Sequence, residues 1–162
     1  MNDYLTNIEQ QEIGSMDSSA LYAIVGELFA AIHGLSGYAV PTAVPDVHRV
    51  PVGDMQQKLC SKPCAVKAFY HPDWGVYLDE MLDIENDPFD RSVLLHELVH
   101  HLQNTSGRFE RMPVSCERNH LAEAEAYRIQ NLYLSSVNSP RRALFTGWAA
   151  GCARTPAATG EP

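Results

Sequence analysis

SVLLHELVHHLQ, Ser92 to Gln103, sets two histidines around a glutamate inside a run of aliphatic residues. On an α-helix, positions i and i+4 project from one face a turn apart. His96 and His100 can therefore each offer an imidazole nitrogen to one cation. Glu97 lies on the adjoining face, where it cannot easily chelate that ion but can reach a water beside it. Two ligands and a general base thus fit on five residues, the H-E-x-x-H arrangement. Leu94, Leu95, Leu98, Val99 and Leu102 surround the triplet, so the helix is apolar around most of its circumference and is predicted to be buried. Buried imidazoles and a buried carboxylate need partners, and a metal ion would supply them. An ordinary amphipathic helix with solvated polar residues fits this surround less well.

The flanking sequence delimits that helix. Asp87 can cap it, Pro88 suits its first turn, and Ser106-Gly107 marks its end, which predicts a helix over 88–104. Upstream, Leu21, Ile24, Val25, Leu28, Phe29 and Ile32 form one apolar stripe, predicting a helix over 18–33 stopped by Gly34. Residues 37–58 carry three prolines and read as loop with one short edge strand near 47–52. Ala65–Tyr70 and Val76–Leu82, separated by His71-Pro-Asp-Trp-Gly75, read as a β-hairpin. A last helix is predicted over 117–137. The expected organisation is a loose lead-in over 1–15, one α+β domain over 16–150, and a disordered tail over 151–162.

Composition excludes several functions. The 162 residues are 45% hydrophobic and 20% charged, a globular balance. The net charge is −8, and no cluster of basic residues exceeds the pair Arg141–Arg142, so no nucleic-acid partner is expected. No membrane span is expected either, because no apolar run approaches ~18 residues. The opening MNDYLTNIEQQEIG has no signal-peptide pattern. The protein is then cytoplasmic if Met1 is its native start, and exported or periplasmic if the chain has been trimmed. Four cysteines allow a Cys60–Cys64 bridge with Cys116–Cys152 as a second, or free thiols.

A catalytic metal site needs a third protein ligand. The metzincin extension of the motif would require Gly at Gln103 and His at Ser106, and it fails. CERNHLAEAEAYRIQNLYL supplies Glu117, Glu123 and Glu125 instead. Glu123 and Glu125 lie about 200° apart on a helix, so both cannot bind one ion. Leu121, Ile129 and Leu132 share a stripe with Glu125, while Ala126, Tyr127, Gln130 and Leu134 share one with Glu123, and the pattern leaves the choice open. Among the other polar residues, His101 reads as a surface or supporting residue, His120 as a solvated histidine, Tyr127 and Tyr133 as core tyrosines, and Gln103 as a support for a ligand.

With the motif helix followed by a glutamate helix, the chain resembles the gluzincins, the thermolysin-like zinc metallopeptidases, and particularly their small single-domain members. The resemblance covers roughly residues 18–137 and favours Glu123, which stands three residues before Ala126. It departs at Tyr127, where the family commonly has an acid or amide that supports the first His. It implies a minimal zincin-like fold: an N-terminal helix, a small antiparallel or mixed sheet with a hairpin, the motif helix and a C-terminal glutamate helix. It implies one Zn2+ held by His96, His100 and Glu123, with Glu97 as general base in peptide-bond hydrolysis. It also implies an edge strand beside the cleft that pairs with extended substrate, for which Gly75–Glu80 is the candidate. The expected partner is a peptide or protein substrate, and so small a chain could need a partner protein to complete its cleft. The alternative is a non-catalytic, zinc-containing regulatory or binding domain of the same fold.

Overall fold

The computed structural model describes residues 16–60 and 64–145. The predicted lead-in over 1–15 and tail over 151–162 lie outside the described residues. The fold is α+β, with four helices and a three-stranded mixed sheet: α1 (Ser18–Ser36), β1 (Val47–Val50), α2 (Val52–Leu59), β2 (Ala68–His71), β3 (Gly75–Asp79), α3 (Pro88–Thr105) and α4 (Cys116–Ser136).

α1 buries the predicted stripe, Leu21 through Ile32, in the same core cluster as Leu94, Leu95, Leu98, Ile129 and Leu134. It runs three residues past its predicted end. Gly34 stays helical, and Gly37 at φ 79° terminates the helix, its N–H donating to the His33 carbonyl. A glycine inside a helix costs only about 1 kcal/mol, whereas the left-handed cap is where glycine is favoured. By length and composition α1 could cross a membrane, with a mean hydropathy of 1.3. Here, however, its apolar stripe packs into the core.

The region expected to be loop contains α2. Pro51 stands at its N-terminal boundary, where a missing N–H costs nothing, and Met55 is its one fully buried side chain. The expected short strand is β1. The Cys60–Cys64 bridge is formed, and the Gln56 amide donates to the Cys64 carbonyl at 2.6 Å, fastening the end of α2 to the chain that enters β2. The pairing expected for Cys116 reaches Cys152, outside the described residues.

The hairpin is present, but the strand predicted to lie at the edge does not lie there. The sheet order is β1-β3-β2, with β1 parallel and β2 antiparallel to β3. β3, expected to be the edge strand, is central, with Val76 and Leu78 fully buried. At its end the Asp79 carboxylate accepts from the Met81 N–H at 3.0 Å. The edges among the described residues are β1 and β2, and it is β2 that lines the cleft. Asp79 N–H donates to the Lys67 carbonyl. With that register, residues 69 and 71 bond to β3, while Ala68 and Tyr70 turn their N–H and C=O groups to the open side.

α3 starts as predicted: the Asp87 carboxylate accepts from Phe89 N–H at 2.7 Å and Asp90 N–H at 3.3 Å. α4 is capped by Ser115, whose hydroxyl accepts from Arg118 N–H. These two helices pack against each other, with α3 also lying against β2 and β3.

Candidate metal centre

α3 is buried on nearly every side, including Leu94, Leu95, Leu98 and Val99. Its polar face meets α4 where both helices carry chemistry. His96 Nε2 lies 3.2 Å from Glu123 Oε2, His100 Nε2 lies 3.0 Å from Glu123 Oε1, and the two Nε2 atoms are 3.1 Å apart. His96, His100 and Glu123 thus converge as a possible metal-binding triad, the only such group among the described residues.

The outer nitrogens decide what the inner ones can do. Ser92 Oγ donates to the Phe89 carbonyl at 2.6 Å, so it can only accept from Gln130 Nε2 at 2.9 Å. That leaves Gln130 Oε1 facing His96 Nδ1 at 3.1 Å, which must carry the proton. Gln103 repeats the logic: its Nε2 faces two acceptors, Ala122 O at 2.9 Å and Glu125 Oε2 at 3.0 Å. Its Oε1 therefore accepts from His100 Nδ1 at 2.8 Å. With both Nδ1 atoms protonated, both Nε2 lone pairs point at each other and at a carboxylate. Only a shared positive charge, from a proton or a cation, stabilises such a cluster.

The titration of the groups expresses the same demand. Burial would lower His100, yet Glu123, Glu97 and Gln103 push it up to about 9. Burial would raise Glu123, but the two histidines hold it well below the usual carboxylate range. Glu97 does not join the triad. Burial raises its carboxyl, opposed by the charges of His96 and His100 and by a backbone hydrogen bond from Tyr70 on the free edge of β2.

Glu125, a rival third ligand, points away from the triad. Its carboxylate is held by Tyr38 Oη at 2.7 Å, Gln103 Nε2 at 3.0 Å and Arg108 Nε at 3.2 Å. Glu117 is exposed in the first turn of α4. Tyr127 is no core residue; its ring stands edge-on to His96 at 4.5 Å and stacks on Phe145 at 5.2 Å, in the wall of the cleft. The support for His96 comes from Gln130, two turns along α4 from Glu123. The i+7 spacing on the Glu123 face was a usable signal for it. His101 is buried rather than on the surface, packed edge-on against Tyr70 with Nε2 3.3 Å from the Ala43 carbonyl. His120 is half-buried against Phe145, and Tyr133 is in the core as expected.

The triad opens into a cleft of about 790 Å3, walled by β2 on one side and α4 on the other, with Phe89, Val93 and Leu144 at its apolar part. No curated protein and no solved structure gives a significant match to this chain. The model of a family described as a domain of unknown function, DUF6647, matches residues 18–155, and the chain belongs to that family.

Proposed function

We propose that this protein is a small zinc metallopeptidase of the gluzincin type that hydrolyses bonds in a peptide or protein substrate. The observation that carries this reading is the convergence of two imidazole lone pairs and one carboxylate in an open cleft, beside a separate buried glutamate. The donor set fits zinc. Ligands at about 2.0–2.1 Å in a tetrahedron stand about 3.3 Å from one another, and the donor atoms here are 3.0–3.2 Å apart. Three protein ligands with an accessible fourth side match a catalytic site, where a structural site would close with four.

When bound, zinc supplies Lewis acidity, polarising a carbonyl and bringing the pKa of a water down to about 7. The chain's own residues do the rest. Glu97 is the base that takes the proton from the attacking water and passes it to the leaving amine. Its raised carboxyl suits a group that must both accept and release a proton. The free N–H and C=O groups of Ala68, at the open edge of β2, suit an extended substrate added as a further strand. This assigns to β2 the role that the sequence suggested for β3. The order of α1, sheet, α3 and α4 agrees with a minimal zincin-like fold.

The test is Glu97→Gln. The variant should keep one equivalent of zinc by elemental analysis while peptide hydrolysis falls by orders of magnitude. Hydrolysis at the wild-type rate would sink the mechanism, and a zinc-loaded wild type that cuts no member of a broad peptide library would sink the activity.

A further inference from the structure

Arg118 lines the same cleft, on the first turn of α4, with its side chain part-buried. Its guanidinium makes one hydrogen bond, from Nη1 to the Met112 carbonyl at 3.3 Å. Among the described residues no carboxylate lies within ion-pair distance of it. Three arginines of the fold are ion-paired, Arg91 with Glu27, Arg108 with Glu125 and Arg141 with Asp87, while Arg49, Arg111, Arg128 and Arg142, like Arg118, have no carboxylate partner among the described residues. What sets Arg118 apart is its place: of the arginines without a carboxylate partner, it is the one that lines this cleft. The bond to Met112 engages Nη1 and leaves the other donors of the planar fork for an occupant of the cavity, a donor set that suits a carboxylate. Lys67, exposed on the strand side of the same cavity, adds charge of the same sign.

Position sets the range. Arg118 precedes Glu123 by five residues, about 7.5 Å along the helix axis. Those five residues also turn about 140° around the helix and an extended peptide advances about 3.3 Å per residue, so a group held by Arg118 stands a few residues from the bond at the metal. Phe89, Val93 and Leu144 give the same cleft an apolar wall, and the guanidinium over the Phe89 ring, Arg141, is already paired with Asp87.

We infer that Arg118 is a specificity residue that binds a carboxylate of the substrate a few residues from the scissile bond. Resting on the metallopeptidase reading, this makes the substrate class peptides with an acidic group on one side of the cut. The carboxylate can belong to an Asp or Glu side chain or to a free C-terminus; the chemistry at the guanidinium is the same.

The experiment uses zinc-loaded Glu97→Gln protein, so that binding is read without turnover, and zinc-loaded wild type for cleavage. The probes are mixed-sequence peptides in three matched sets: C-terminally amidated with one Glu, amidated with Gln in its place, and the Gln set with a free C-terminus. Carboxylate peptides should bind about ten- to hundredfold better than neutral ones. Arg118→Met should remove that preference while leaving the neutral set unchanged, and Arg118→Lys should keep part of it. The first and third sets distinguish a side-chain from a terminal carboxylate. Equal binding of charged and neutral sets overturns the inference. So does a preference that survives in Arg118→Met, which would belong to the metal, or an equal loss of both sets. Absence of cleavage with an Arg118-dependent preference in binding removes only the hydrolytic reading.

Discussion

The amide oxygen of Gln130 lies 3.1 Å from Nδ1 of His96, and nothing about that amide is free to turn, because its nitrogen is committed to Ser92. A residue two turns along α4 from Glu123 therefore sets the tautomer of His96 on α3. Replacing Gln130 with Leu should weaken zinc binding about 10- to 100-fold, measured by competition against a fluorescent chelator. Gln130→Glu, which keeps an acceptor facing His96, should recover most of the affinity. Equal affinity in wild type and Gln130→Leu would show that the amide does not orient the ligand.

The three candidate glutamates separate by metal content. Glu123→Ala should lose stoichiometric zinc. Glu125→Ala should keep one equivalent with weakened affinity, because Gln103 loses one of its two acceptors and His100 its fixed orientation. Glu117→Ala should bind as wild type does, its side chain being exposed. Loss of metal in Glu125→Ala alone would exchange the roles.

Metal removal should reach the whole fold, because the triad joins the two helices that carry the core. At free zinc about 1,000-fold above its dissociation constant, binding contributes about 4 kcal/mol. Chelator should then lower the thermal midpoint by on the order of 10 °C for a chain of this length. His100→Ala protein should show no response to either zinc or chelator.

Gly75 tests the hairpin. It sits at φ 80°, and an added Cβ would run into the carbonyl of Asp46, which accepts the Val76 N–H where β1 meets β3. Gly75→Ala combines left-handed strain with a backbone collision, so a loss of about 3 kcal/mol or more is expected. Thermal denaturation should show a drop of roughly 10 °C. An unchanged midpoint would mean the turn can relax.

Local chemistry wrote much of this protein into its sequence. The apolar stripe from Leu21 to Ile32, the Asp87-Pro88 start and the spacing of His96, Glu97 and His100 are properties of a few neighbouring residues, and helical periodicity exposes them directly. α2 was hidden because prolines on its flank read as breakers, although Pro51 only begins it. What depends on residues far apart was decided by packing. That β3 is central follows from β1 pairing in parallel along its other side, a pairing between residues 47–50 and 76–79 that no local pattern encodes. The choice of Glu123 over Glu125 follows from the way α4 lies against α3, since two carboxylates about 200° apart meet different neighbours. One meets two imidazoles and the other meets Tyr38, Gln103 and Arg108. The sequence by itself determined which helix carries the ligands; only the tertiary structure decided which carboxylate faces them, because that depends on the rotation of one packed helix against another.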